Sequence, residues 1–310
     1  MVATRLLRID ETRPTPRIEQ SALDLAHALP RLAIEARRVA SAVAHGLHGR
    51  RRAGVGETFW QFRHFTFGEA AARVDWRRSA RDDHLYVRER EWDSAHTVWL
   101  WADRSPSMAF VSDLAQSPKV ERALVLTFAF ADLLVRGGER VGLIGRTRPT
   151  SNRAVVEKLA EAILADRSEP SSLPEPTPLA PLTEAVLVGD FLEPAPAILS
   201  TVAALASRGA RGHLVMVADP IEETFPFSGR TELVDPEDGR KLTAGRVQSL
   251  RSNYVERLAA HRDELRRELT RLGWTLTVHR TDKPASQAIL AVHPLLATGQ
   301  GSGTAPRSYS

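Results

Sequence analysis

Cysteine is absent from this 310-residue chain, which removes disulfides, thiolate zinc sites and cysteine nucleophiles together. That fits a reducing compartment, and the cytoplasm is the expected setting. Long apolar runs are missing too. The longest, Ala123–Val135, is broken by Thr127 and Asp132, so it is too short for a bilayer span and reads as a buried helix. The first twenty residues, MVATRLLRIDETRPTPRIEQ, lack the apolar core of a secretory signal. Strong charge of one sign is also lacking, for the formal net charge is only +4. The imbalance sits early: residues 1–95 hold 17 arginines against 13 acids, while the remainder holds 25 charges of each sign. Between Arg37 and Arg52, five arginines occur without an acid. Such a stretch can bind nucleic acid or acidic lipid. No interleaved aromatics or helix-turn-helix pattern accompanies it, so a solvated face, or arginines docked on acids elsewhere, is the simpler reading.

Several catalytic patterns are missing as well. There is no G-x-S-x-G elbow, and the ten histidines show no H-E-x-x-H spacing. Gly54-Val-Gly-Glu57-Thr puts a carboxylate where a phosphate-binding loop needs lysine, so nucleotide binding there is rejected.

What is present is enough apolar residue, 43%, for a sizeable core. Ser21, with Asp24 three residues on, reads as the start of a helix running to about His45. Residues 49–95 mix arginines with Phe59, Trp60, Phe62, Phe65, Phe67, Trp76, Tyr86 and Trp92, a composition of hairpins and turns. From Val98 the pattern alternates. Strands are expected near 98–102, 140–145, 185–189, 212–218 and 274–279. Helices are expected near 118–136, 152–165, 195–208, 245–271 and 285–296. This alternation predicts an α/β fold with a doubly wound, mostly parallel sheet covered on both faces. Gly137-Gly138 stops the first of these helices. Ser168–Pro181, with five prolines, is a loop. Thr231–Leu242, with Asp-Pro-Glu-Asp-Gly inside it, reads as an inserted hairpin. The expected organisation is an N-terminal helix and Arg/aromatic-rich region over 1–95, a main domain over 96–297 and a disordered tail over 298–310.

The most informative stretch is Val98-Trp-Leu-Trp-Ala102-Asp103-Arg-Ser105-Pro-Ser107. A buried strand ending in Asp-x-Ser-x-Ser can aim one carboxylate and two hydroxyls at a single hard cation. Oxygen ligands of that kind suit Mg²⁺, with Mn²⁺ as the alternative, rather than zinc. Ligands of open parallel sheets gather at the carboxyl ends of the strands. Asp190, after Ala185–Gly189, and Asp219, after Leu214–Ala218, repeat the strand-then-carboxylate form. An aspartate after a strand is also an ordinary helix cap, and that reading competes at each position. Asp75-Trp76-x-x-Ser79-Ala-Arg81 reads as structural: Trp76 would bury a large surface against the sheet, with Asp75 paired to Arg73 or Arg81.

Asp103-Arg-Ser105-Pro-Ser107-Met resembles the first half of the metal-ion-dependent adhesion motif of von Willebrand factor type A domains. The preceding blocks, Gly49–Gly56, Phe62-Arg-His-Phe65-x-x-Gly68, Val74-Asp-Trp-Arg-x-Ser79-Ala-Arg81 and Leu85–Glu89, resemble the signature of the bacterial family called domain of unknown function 58. The likeness continues more loosely through Arg140–Leu143, Gly189–Phe191 and Gly273-Trp274. It implies a type A-like domain with an added N-terminal region. It also implies a non-enzymatic adaptor that works with a MoxR-type AAA+ ATPase on a client protein. Carried onto matching positions, Asp103, Ser105 and Ser107 would form the first metal-ligand group and Asp190 the later acidic ligand. The motif also expects a threonine in a loop near the ion, and Thr147, Thr150, Thr177 and Thr183 are all available. Arg104 beside the first aspartate would repel the ion if it leaned over the site, which would leave a degenerate or empty site. The competing functions are a hydrolase with an ion at the Asp103/Asp190/Asp219 rim and a nucleic-acid binder using Arg37–Arg52.

Overall fold

A computed structural model of the chain describes residues 7–8, 18–48, 61–66, 74–81, 84–89, 96–237 and 239–298. The chain divides into two compact units, Met1–Gly46 with Thr97–Ser310, and Leu47–His96. In chain order the first elements are β1 (Leu7–Arg8), α1 (Ile18–His48), β2 (Gln61–His64), α2 (Trp76–Ser79) and β3 (Tyr86–Glu89). The main alternation follows: β4 (Thr97–Ala102), α3 (Lys119–Arg136), β5 (Arg140–Leu143), α4 (Val155–Ala165), β6 (Thr183–Gly189), α5 (Ala195–Ala206) and β7 (Arg211–Ala218). Last come α6 (Pro220–Thr224), β8 (Thr231–Val234), β9 (Lys241–Ala244), α7 (Arg251–Arg271), β10 (Trp274–Arg280) and α8 (Ala285–Thr298).

The central sheet has the strand order β10-β7-β6-β4-β5, and every neighbouring pair is parallel. The expected α/β architecture is therefore present, with each strand and helix of the alternation near its expected place. β6 is buried along its whole length, the polar Thr183 and Glu184 as well as the apolar run Ala185–Val188. Its alternate residues serve different faces. Ala185 and Leu187 join Ile198, Val202 and Leu205 of α5, Leu265 and Leu269 of α7, and Trp274 in one apolar cluster. α3 packs across β4, β5, β6 and β7. That helix is buried nearly all round, as its apolar composition required, and it ends at Gly137 with Gly138 in the left-handed region (φ 94°). β4 lies between the later strand β6 and the earlier-visited edge strand β5, so the winding reverses at the β4/β6 crevice.

Smaller expectations meet mixed outcomes. The hairpin around Asp235-Pro-Glu-Asp-Gly is present as antiparallel β8–β9, with β1 added at its edge. α1 begins at Ile18, so Ser21 lies inside it rather than capping it. Its buried residues Leu29, Leu32, Ala36, Ala40 and Val43 recur every three or four positions and form one apolar stripe. On the flank, Arg31 donates to Glu121 at 2.7 Å and Arg37 pairs with Glu157. For Arg37, docking on an acid elsewhere is the reading that holds; Arg50, Arg51 and Arg52 lie outside the described residues.

The second unit contains the antiparallel pair β2–β3, as the hairpin composition predicted. The Trp76 side chain is 62% exposed. Asp75 caps α2, its Oδ1 accepting the Arg78 N–H at 3.0 Å. Ser79 Oγ accepts the Tyr86 N–H at 2.9 Å, and the Arg78 guanidinium lies 4.6 Å from the Tyr86 ring centroid. The block thus folds onto its own strand β3. Phe59, Trp60, Phe67, Trp92, the Gly49–Gly56 block and the tail beyond 298 lie outside the described residues.

Candidate metal centre

β4 and β6 run side by side, and their carboxyl ends bring Asp103 and Asp190 to one rim at the winding reversal. After Asp103 the chain turns at once into a short 3-10 turn, Pro106–Ala109, started by Pro106. This places Ser105 and Ser107 on the same side. All four residues predicted from the motif are buried: Asp103, Ser105, Ser107 and Asp190 are each at most 2% exposed.

Their polar atoms interlock. Asp103 Oδ1 accepts the Ser105 N–H at 2.8 Å. The hydroxyls of Ser105 and Ser107 are 3.2 Å apart, and Ser107 Oγ donates to Asp190 Oδ2 at 2.7 Å. Asp103 Oδ2 has no hydrogen-bond partner among the described residues. Burial, then the charge of Asp190, pushes the Asp103 carboxyl up to about 8, against the opposing Ser105 hydrogen bonds. On the β6 side the fit is close. A Cβ on Gly189 would stand 3.0 Å from Asp103 Cβ and 3.2 Å from Oδ2, so glycine is needed where the two strands meet. Beyond Asp190 the chain bends sharply at Phe191, which has φ 47°. A bulky residue in that region costs roughly 1–3 kcal/mol. The buried ring of Phe191, and its carbonyl 2.8 Å from His261 Nε2 of α7, hold the bend.

Three neighbours were not anticipated. Lys119, at the first turn of α3, is 1% exposed; its Nζ donates to Asp190 Oδ2 at 3.1 Å and to Glu222 Oε1 at 2.6 Å. Burial works against its charged form, but the Glu222 and Asp190 carboxylates more than offset that and raise its pKa. Glu222 also closes a capping box with Asp219 on α6. Glu237, in the β8–β9 turn, accepts the Ser107 N–H at 3.0 Å. Two signals were readable. A lysine in a helix's first turn opposes the macrodipole, which asks for another reason to be there, and Asp219-Pro-Ile-Glu222 has capping-box spacing.

Other expectations sort themselves by geometry. Asp219 is fully buried, but both its oxygens serve the main chain: Oδ1 accepts from Ile221 N–H and Oδ2 from Ser112 N–H, each at 2.9 Å. The cap reading holds there. Arg104 does not lean over the site; its guanidinium pairs with Asp166 and lines a separate cleft of about 430 Å³ with Trp101, Arg146 and Leu173. Thr147 accepts the Leu143 N–H in the turn after β5, and Thr150 accepts the Asn152 N–H. Thr183 opens β6 at the opposite end of the sheet, and Thr177 sits exposed in the proline-rich loop.

Among the described residues no group of three or more His, Asp or Glu side chains is arranged to hold a metal ion. The four-residue set relies on hydroxyls instead. An all-oxygen donor set with one buried, unpartnered carboxylate oxygen fits a small hard cation. Lys119 supplies a competing positive charge on Asp190, so any ion would share that carboxylate with an ammonium.

A family model described as "Protein of unknown function DUF58" matches residues 61–264. Uncharacterised proteins of Mycobacterium tuberculosis and Mycobacterium bovis are 27% identical over 286 residues, covering 84% of this chain and 86% of theirs. Among solved structures, the conserved hypothetical protein BatB from Bacteroides thetaiotaomicron superposes with a TM-score of 0.40 at 16% identity, over 67% of this chain and 100% of that one. An aerotolerance-related membrane protein from Bacteroides fragilis gives 0.38 at 15% identity, over 66% of this chain and 100% of that one.

Proposed function

The chain belongs to the DUF58 family, and from that premise we propose that it is a protein-interaction module whose docking face is the β4/β6 rim, completed by a divalent cation. One observation carries the reading. A buried carboxylate oxygen, Asp103 Oδ2, stands without a partner among the described residues, beside two hydroxyls and a second carboxylate. A polar atom left so costs about 1–3 kcal/mol or more, which a cation would offset. Asp103, Ser105, Ser107 and Asp190 would hold Mg²⁺, with Mn²⁺ the alternative. Bound there, the ion would offer an open coordination position to an acidic side chain of a partner.

The strand order and the place of the rim support reading the larger unit as von Willebrand factor type A-like. The proposed partner is a MoxR-type AAA+ ATPase acting on a client protein in the cytoplasm: the ATPase supplies energy, and this chain supplies recognition. The competing readings are weaker. A hydrolase at this rim loses Asp219, which is used in capping, and Arg37 of the basic stretch is paired with Glu157.

Isothermal titration of the full chain with MgCl₂ tests the cation. The wild type is expected to bind, and Asp103→Asn to lose binding while keeping a cooperative unfolding transition. A wild type that gives no binding heat and no Mg²⁺-dependent thermal shift sinks the reading.

A further inference from the structure

The cleft of about 430 Å³ opens at the carboxyl ends of β4 and β5, between α4, α5 and the proline-rich loop. That volume lies within the range, about 300–1,000 Å³, that holds a small organic ligand. Open parallel sheets take their ligands at the carboxyl ends of the strands.

The polar wall of the cleft is a pair of arginines that share one carboxylate. Asp166 follows α4 directly, and its side chain is 2% exposed. Its Oδ2 accepts from Arg104 Nη2, and its Oδ1 faces Arg146 Nη1 at 3.2 Å. Ser168 donates its N–H to Oδ1 at 3.0 Å and its hydroxyl at 2.7 Å. Burial works against the charge of Asp166, but the Ser168 hydrogen bonds and the Arg104 guanidinium hold its carboxyl below the usual range. One anion therefore stands against two cations. The other contacts of the guanidinia are to neutral oxygens: Arg104 Nη1 donates to the Ile163 carbonyl at 3.4 Å, and Arg146 Nη2 to the Ser168 hydroxyl at 2.7 Å. A guanidinium carries more N–H groups than these bonds use, so both side chains keep donors for a second anion.

The rest of the lining is of two kinds. Trp101, Leu173 and Pro174 give an apolar wall. Glu169 and Glu175 are exposed and also border the cleft. A simple organic anion would meet those two carboxylates as well as the arginines. A ligand with an anion at one end, a cation at the other and an apolar body between them meets a complementary group at each point.

We propose that this cleft binds a short apolar peptide with free ends: its terminal carboxylate on Arg104 and Arg146, its side chains along Trp101 and Leu173, and its amino end beside Glu169 and Glu175. The site is independent of the cation reading, because Asp103, Ser105, Ser107 and Asp190 do not line it.

Isothermal titration of the full chain with the tripeptide alanyl-alanyl-phenylalanine tests this, alongside its C-terminal amide and its N-acetylated form. The free tripeptide is expected to bind the wild type. Amidation is expected to weaken binding by about tenfold or more, since it removes the charged acceptor. Acetylation is expected to weaken it about threefold, the size of an exposed ion pair. Two variants place the ligand. Arg146→Gln, at a side chain already 40% exposed, is expected to bind the free tripeptide about tenfold more weakly and the amide as wild type does. Thr201→Phe, which fills the cleft from α5, is expected to lose binding while keeping a cooperative unfolding transition. No binding heat from the wild type at millimolar tripeptide overturns the inference. So do equal affinities for the free tripeptide and either capped form, an equal loss for the amide in Arg146→Gln, or undiminished binding by Thr201→Phe.

Discussion

At the scale of single residues, close packing matters more than residue type. Trp76 belongs to the largest side-chain class, yet it is mostly exposed, whereas Trp274 is 1% exposed. Trp76→Ala is therefore expected to change the urea-unfolding free energy by no more than about 0.5 kcal/mol. A loss several times larger would mean that the indole is buried after all. Gly212 presents the opposite case. A Cβ there would stand 2.4 Å from the Trp274 ring, and neither the strand backbone nor a buried indole can retreat cheaply. Gly212→Ala is expected to cost about 1–3 kcal/mol by the same measurement. An unchanged denaturation midpoint would show that the β7–β10 contact is looser than this.

At the scale of elements, the first turn of α3 is where stability and the rim meet. A cation there opposes the helix dipole, and its burial carries a desolvation cost. The contacts from Lys119 to Glu222 and Asp190 offset both, and they tie α3 to α6 and to the end of β6. Lys119→Met would leave two buried carboxylates without that ammonium. It is expected to lose about 3–5 kcal/mol of stability, read from chemical denaturation. A Lys119→Met chain as stable as wild type would show that the carboxylates there are neutral. The capping box on α6 is the other half of this junction. It explains why Asp219 was correctly placed at the rim by its strand-end position yet has no oxygen to spare for an ion.

For the molecule as a whole, buried titrating groups pull stability in opposite directions with pH. Burial lowers His213 to about 4; burial, then the charge of Arg122, lowers His279 to about 4. Unfolded, both protonate near 6.5, so the unfolded chain binds more protons between about 6.5 and about 4. Their contribution is intact above 6.5 and is lost as pH falls through that window. Glu184 is pushed up to about 7, mainly by burial, and Asp103 to about 8; these two favour the folded chain as pH falls. The informative experiment is thus a pair of pH profiles. On acidification from pH 7 to 4.5, His279→Leu is expected to lose about 2–3 kcal/mol less unfolding free energy than wild type. Parallel profiles would refute a neutral, buried imidazole at that position.

Strand and helix order was legible in the sequence because apolar periodicity is a local consequence of which face each segment buries. Val98–Ala102 and Ala185–Gly189 announced buried strands, and the residues following them announced strand-end carboxylates. The Asp-x-Ser-x-Ser spacing likewise put two hydroxyls near Asp103, since a turn of that length leaves little freedom. What tertiary structure alone decided was which groups from distant segments share the rim. Lys119, Glu222 and Glu237 arrive from a helix start, a capping box and a hairpin turn, and no local pattern relates them to Asp103. The same holds for Arg104 and Trp76, where sequence proximity pointed toward the site or the core and long-range partners or exposure decided otherwise. Periodicity carries the direction a side chain takes from its own backbone, whereas the charge it meets depends on how the whole sheet is wound.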